Sequence, residues 1–374
     1  YWVGGAGKIF HNDQPDPGSW EAYYPSKEKH MPDYFYPNPG WTVNMPPFEN
    51  MYADFDWSPI ELDDERTGDF QSVAWVTDQL NRERDRPFFL ACGIYRPHLP
   101  WYVPQKYFDL FPVDEVVLPK VLENDLDDLG DRAREIAARG GGYHRHVVEA
   151  GQWRAAVKGY LASTAFADAM VGRLLTALEN SPHARNTIVV LWSDHGWQLG
   201  EKEHWRKFAL WDNVARTVLM IRAPEGTPGL PGGSSDGDRC RRITSLVDLY
   251  PTLVDLAGLP EMDGLDGHSL TPLLADPRAE WNHPAITTYD VSEYSIRTER
   301  WRYIRYIDAS EELYDHDSDP EEWTNLAGDP AYAAVIEDLS SFIPASPAPL
   351  AETSYPISPH HVPPWKSKED YLRR

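Results

Sequence analysis

The sequence predicts an α/β protein: a mostly parallel sheet flanked by helices, followed by a small C-terminal α+β subdomain with an antiparallel sheet and a helix. Three observations carry this reading. Short, continuous apolar runs at 88–94 and 187–192 read as buried strands. Strong helical periodicities at 70–80 and 153–178 alternate with them. After Pro260 the pattern changes to short aromatic and β-branched segments separated by turns.

Taken in order, residues 12–60 are dense in Pro, Asn, Asp and aromatics (Trp20, Tyr23, Tyr24, Tyr34, Phe35, Tyr36, Trp41), which predicts an ordered but irregular loop region. Phe70, Val73, Ala74, Thr77 and Leu80 lie on one helical face, and that helix closes before Pro87. The run from Phe88 to Ile94 predicts a strand buried on both faces, broken by Arg96-Pro97-His98-Leu99-Pro100. The stretch 125–150 is polar, carries Gly140-Gly141-Gly142 and reads as a surface excursion. Trp153 to Leu178 is a strong amphipathic helix, and Thr187 to Trp192 is the clearest buried strand. Val218–Ile221 and Ile243–Leu246 are further candidate strands, and Tyr250 to Leu256 reads as a short helix closed by Gly258. Segments 285–289, 292–298, 301–307 and 311–314 predict the antiparallel sheet, covered by a helix near 331–342. The domains expected are a main body 1–260, a subdomain 261–343 and a Pro-rich tail 344–374.

The 374 residues carry 35 basic and 59 acidic side chains, a net charge of −24. Such a surface repels nucleic acid and anionic membrane, so no nucleic-acid partner is expected. Two cysteines, Cys92 and Cys240, are too few for a disulfide framework or a Cys-rich zinc site, although one bridge stays open. No apolar run approaches the ~18 residues of a membrane span. The chain begins at Tyr1, so the lack of a leader says nothing about its compartment.

Chemistry concentrates at strand ends. Ser193-Asp194-His195-Gly196 follows the clearest strand, where open α/β sheets collect ligands, and Asp194 with His195 can both ligate a divalent cation. Turn chemistry closing a strand is the plainer reading of the same residues. Lys8 and His11, behind a glycine run, form a seat for an oxyanion or else a surface lysine and a satisfied histidine. His98 sits in a proline-stiffened loop past the other buried strand, as a functional or a loop-anchoring residue. Lys207 closes the polar aromatic segment Glu203-His204-Trp205-Arg206-Lys207, and alone it reads as a solvated lysine.

Together these segments are more specific. Val3-Gly4-Gly5-Ala6-Gly7-Lys8-Ile9-Phe10-His11, Arg86-Pro87-Phe88-Phe89-Leu90 through Arg96-Pro97-His98-Leu99-Pro100, and Asn186 through Lys202 with Ser193-Asp194-His195-Gly196 resemble the sulfatase family of the alkaline-phosphatase superfamily, most closely its iduronate-2-sulfatase-like branch. Glu311-Glu312-Leu313-Tyr314-Asp315 with Asp319-Pro320-Glu321-Glu322 and Asn325-Leu326 resembles that family's C-terminal signature. The resemblance spans nearly the whole chain and implies an alkaline-phosphatase-like fold. It also implies that Asp194 and His195 are half of a calcium site, magnesium being the alternative, and that Lys8, His11, His98 and Lys207 surround the sulfate. Trp197 and His204 are the flanking candidates for substrate contact, Trp197 with packing as its alternative.

In that family the nucleophile is a formylglycine made in a Cys/Ser-x-Pro-x-Arg motif, and a pair of adjacent Asp residues after the first strand completes the metal site. Neither Cys92 nor Cys240 lies in such a motif, and Asp63-Asp64 and Asp127-Asp128 follow no apolar strand. The expectation is an N-terminally truncated, exported sulfatase, inactive as these residues alone, whose substrate is an anionic sulfate ester, in the first place of a sugar. In the mechanism implied, His98 is the acid for the leaving oxygen with Lys207 as partner, and His11 helps release sulfate. The competing readings are a phosphoester or phosphonate hydrolase of the same superfamily and a non-catalytic binder of sulfated glycans.

Overall fold

The computed structural model describes residues 1–11, 16–29, 31–32, 42–48, 51, 54–234, 237–290 and 292–345. Tyr34, Phe35, Tyr36 and Trp41 of the aromatic segment, and nearly all of the Pro-rich tail, lie outside the described residues. Two compact units emerge, residues 1–118 with 145–185 and residues 119–144 with 186–345. In chain order come β1 (Trp2–Gly7), β2 (Ala22–Tyr24), β3 (Trp57–Ile60), α1 (Gly68–Leu80), β4 (Phe88–Gly93), β5 (Trp101–Pro104) and the one-turn α2 (Gln105–Phe108). Next are α3 (Asp131–Ala137), α4 (Arg139–Glu149) and α5 (Trp153–Glu179). They are followed by β6 (Val189–Trp192), β7 (Gln198–Leu199), β8 (Trp205–Arg206), α6 (Asp212–Ala215), β9 (Leu219–Arg222), α7 (Leu249–Leu256) and α8 (Thr271–Ala275). β10 (Ala285–Tyr289), β11 (Glu293–Arg297), β12 (Trp301–Arg305), β13 (Glu311–Asp315) and α9 (Ala333–Ser340) complete the order.

In the first unit β4 pairs in parallel with β1, and β1 with β2. The helix expected at 70–80 is α1, started by the Thr67 side chain, which accepts from the Phe70 amide at 3.3 Å. Val73, Val103, Tyr107, Phe108, Ala162, Phe166 and Met170 form its core with α2 and α5. Helix α5 approaches β3 so closely that a Cβ on Gly159 would meet the Trp57 Cβ at 2.6 Å. Its length and composition would suffice to cross a membrane, and its buried side chains pack into this core as those of a core helix do. One expectation fails: β4 is not buried on both faces, and Phe89 is 45% exposed. Among the described residues β4 is the edge of the order β2-β1-β4, so only one side of it has a neighbouring strand.

The second unit holds the antiparallel sheet β10-β11-β12-β13, each strand paired with the next in sequence, as the alternating pattern predicts. Helix α9 covers one face, where Leu339 packs with Ile296, Tyr303 and Leu313. β6 pairs with β9 in antiparallel register, Val189 opposite Arg222, while β1–β2, β1–β4 and β3–β5 are parallel. Like β4, β6 is only half-buried, because β9 is its sole strand neighbour among the described residues. Two further corrections concern local structure. The polar stretch 125–150 contains α3 and α4, and Ala133, Ile136 and Ala137 pack against Leu210, Trp211 and Tyr314. Ile243–Leu246 is no strand: Ser245 and Asp248 form a reciprocal capping box that starts the turn into α7.

Candidate active site

In the second unit the chain turns sharply after β6. The Ser193 amide donates to the Val218 carbonyl at 3.2 Å, and the Gly196 and Trp197 amides donate to the carbonyls of Val214 and Asn213 at 2.7 and 2.8 Å. Glycine is required at 196, since a Cβ there would lie 2.1 Å from the Asn213 oxygen and 2.4 Å from that of Arg216. This seat holds Asp194, with its carboxylate largely exposed, and His195, half-buried. His195 Nδ1 donates to the Gly196 carbonyl at 2.7 Å, which leaves the Nε2 lone pair facing outward. That nitrogen lies 3.6 Å from Asp194 Oδ2 and receives the Lys207 ammonium at 3.0 Å. The Trp197 ring stands 6.0 Å from the His195 ring, tilted by 31°.

Lys207 is delivered by the β7–β8 hairpin, whose backbone is strained on both sides of it. Arg206 and Phe208 hold φ values of 81° and 73°, in the left-handed region that bulky side chains avoid. His204, expected as a substrate contact, is instead enclosed: its ring nitrogens face the carbonyls of Ala137 at 3.2 Å and Lys207 at 2.9 Å. Burial lowers its pKa while the two carbonyls act to raise it, and its contact with the Lys207 carbonyl ties the ring to the loop backbone.

Beneath this loop lies a bed of buried charge that the sequence did not announce. Arg302, 1% exposed, donates to the Leu210 carbonyl at 3.1 Å and to Asp212 Oδ1 at 2.5 Å, with its Nε 2.6 Å from Glu322 Oε1. Glu322 in turn accepts from the Asp212 amide at 2.9 Å. Burial pulls the Asp212 carboxyl up, but Arg302 and Arg297 outweigh it and hold it at about 2. Asp212, His316 and Glu322 bring ligand atoms within 4.8 Å of one another, yet the two guanidinium groups already supply the positive charge among them. Asp212 opens α6, whose carbonyls seat Gly196 and Trp197, so sheet β10–β13 reaches the strand-end turn through Arg302. Nearby, the Trp211 indole and the Tyr314 hydroxyl donate to Glu312 Oε2 at 2.9 and 2.8 Å, and the Tyr306 hydroxyl donates to Oε1 at 3.0 Å. Burial nevertheless pushes the Glu312 carboxyl up to about 7.

In the first unit Lys8 directly follows β1, and His98 lies in the loop between β4 and β5. The Lys8 amide donates to the Gly93 carbonyl at 3.0 Å, and neither Gly7 nor Gly93 has room for a Cβ. The Tyr95 ring lies 5.6 Å from Lys8 Nζ and 4.8 Å from the His98 ring. Buried Asp69, in the first turn of α1, accepts the Tyr95 and Arg96 amides at 2.7 and 3.1 Å, and Arg96 Nη1 donates to the His98 carbonyl at 3.1 Å. His98 Nδ1 donates to the Leu99 carbonyl at 2.7 Å, so Nε2 is the nitrogen able to exchange a proton. His11 is exposed.

Both cysteines are free thiols. Burial, and then the charge of Asp69, pushes the Cys92 thiol up to about 12, which disfavours the thiolate. Asp64 is buried, held by Lys106 at 2.7 Å and Arg173 at 3.5 Å, and it is a structural acid.

A sulfatase family model matches residues 18–259, and a model for the N-sulphoglucosamine sulphohydrolase C-terminal region matches 200–346. A sulfatase of Formosa agariphila is 34% identical over 370 residues, covering 96% of this chain and 70% of that protein. Iduronate 2-sulfatase of Mus musculus is 28% identical over 425 residues, covering 89% of this chain and 75% of that one. The phosphonate monoester hydrolase of Agrobacterium radiobacter superposes with a TM-score of 0.64 at 25% identity, covering 78% of this chain and 62% of that one.

Proposed function

The chain belongs to the sulfatase family, and from that premise we propose that it serves the hydrolysis of a sulfate ester of a sugar, with Lys207 and Lys8 holding sulfate oxygens and His98 protonating the leaving oxygen. The observation that carries this is the strand-end constellation of Asp194, His195 and Lys207, with the Lys207 ammonium 3.0 Å from His195 Nε2. Fixed cations suit the reaction because negative charge must be held while the S–O bond breaks. His98 Nε2 is left to carry the proton by the bond its Nδ1 makes to Leu99. Trp197, beside His195, offers a ring to a sugar face. His11, exposed at the end of its glycine-led segment, assists sulfate release in this reading. Export from the cytoplasm, as the resemblance implies, belongs to the same reading.

Sulfatases generally use a calcium ion and a formylglycine. A carboxylate oxygen and an imidazole lone pair that already attracts an ammonium fit a divalent cation, so Asp194 and His195 would hold it, as two of the several ligands calcium takes. Bound there, it would supply Lewis-acid polarisation of the sulfate. Among the residues present, neither Cys92 nor Cys240 stands in a formylglycine motif.

The likeness to a phosphonate monoester hydrolase favours one second reading, the same site acting on a phosphonate ester. The test is binding and turnover of an aryl sulfate beside a phosphonate monoester. Preferential binding of the sulfate, lost in Lys207→Ala, is expected. Equal or inverted preference, or unchanged binding in Lys207→Ala, overturns the reading.

A further inference from the structure

Resting on the reading that Lys207 holds a sulfate ester, we propose that Arg139 and Phe208 form a second subsite, which takes the carboxylate of an acidic sugar. Three observations meet at one ring. Phe208 is 37% exposed, although it is a large aromatic in a loop whose neighbours Arg206 and Lys207 are buried. Its backbone, with that of Arg206, is held in the left-handed region, a strain of about 1 kcal/mol or more at each residue that persists only where surrounding contacts impose it. Finally, the ring is shared by two cations, with Arg139 Cζ 4.3 Å and Lys207 Nζ 5.6 Å from its centroid.

Two positive charges on one ring lie within about 10 Å of each other, near the Debye length at physiological salt, so they act on the same bound anion. Arg139 donates one N–H to the Tyr289 hydroxyl, and among the described residues it has no carboxylate partner. Of the acids close in sequence to Tyr289, Glu293 lies 2.7 Å and Asp290 3.9 Å from Arg132. The guanidinium therefore keeps donors in the forked geometry that matches carboxylate and sulfate. Phe208 adds an apolar face for the C–H side of a sugar ring. In a chain of net charge −24, an arginine kept away from acids is a local selection for an anion.

The experiment is calorimetric binding of a 2-sulfated uronate and its methyl ester to the 374-residue chain. The parent protein is expected to favour the free acid about tenfold. Arg139→Gln should erase that preference while leaving the affinity for the methyl ester within twofold, and Arg139→Lys should retain part of it. Phe208→Ala should weaken both compounds. Circular dichroism and the melting midpoint of each variant separate loss of the subsite from loss of the fold. Equal binding of the two compounds by the parent, or a preference that survives in Arg139→Gln, overturns this proposal alone. Binding of neither compound by the parent overturns the sulfate reading and this one with it.

Discussion

Replacing Glu312 by Gln should stabilise the second unit at alkaline pH and leave it almost unchanged at pH 5. Glu312 is 1% exposed, and burial moves its carboxyl from 4.5 to about 7. A displacement of that size corresponds to about 3 kcal/mol against the charged form. The sign follows from proton counting. Between pH 4.5 and about 7 the native state keeps a proton that the unfolded chain has released, so stability falls as pH rises through that window and stays lowered above it. Glutamine fits the same contacts: its oxygen can accept from Trp211 and Tyr314, and its amide can donate to the Tyr306 hydroxyl. For a unit of about 200 residues, 3 kcal/mol raises the melting midpoint by roughly 10 °C. Differential scanning calorimetry of parent and variant at pH 5 and pH 8 makes the comparison. Parallel pH profiles, or a variant less stable at pH 8, would show that the three donors and not burial govern this carboxyl.

Gly196→Ala forces a Cβ to 2.1 Å from the Asn213 oxygen and should cost about 3 kcal/mol, read as a lower denaturant midpoint, together with the Lys207-dependent binding of sulfate. Asp212→Asn leaves buried Arg302 short of a charged partner and should cost about 3–5 kcal/mol. In the parent, the stability due to Asp212 should be lost as pH falls from about 4 through 2, because its folded-state carboxyl is lowered to about 2. His268 and His283 stack with ring centroids 3.7 Å apart, and burial and then the His268 charge lower the His283 pKa. In an NMR titration His268→Ala should return that pKa only part of the way, and a full return would make the neighbour, not burial, the main cause.

Where one side-chain pattern decided one element, the sequence was legible. The apolar runs became β4 and β6, the long periodic helix became α5, and the turn-separated segments became β10 to β13. Strand direction was not legible for β6 and β9, because apolarity marks burial without polarity of pairing. Helix α4 was hidden by its three glycines, which weaken helix propensity. At 243–246 the β-branched run outweighed a signal that was present, the Ser245-x-x-Asp248 capping box. Among the candidate residues, Asp194, His195 and His98 stood out because they follow apolar runs that read as strands. Arg302, Asp212 and Glu322 did not, since a buried ion network is made of residues far apart in sequence and each alone resembles surface charge. His204 was misplaced for the related reason that a histidine in a polar segment does not reveal which carbonyls will enclose it.

The buried bed under the Lys207 loop also sets an order in time. Lys202 donates to the carbonyl of Glu322, a partner 120 residues downstream, and Arg302 belongs to the same late portion of the chain. At about 5–20 residues per second of synthesis, the Lys207 loop waits on the order of ten seconds for the residues that fix it. Until β12 and β13 have emerged and docked, the nascent chain has the motif but not its geometry, so the Lys207 loop takes its folded form only when this unit is complete.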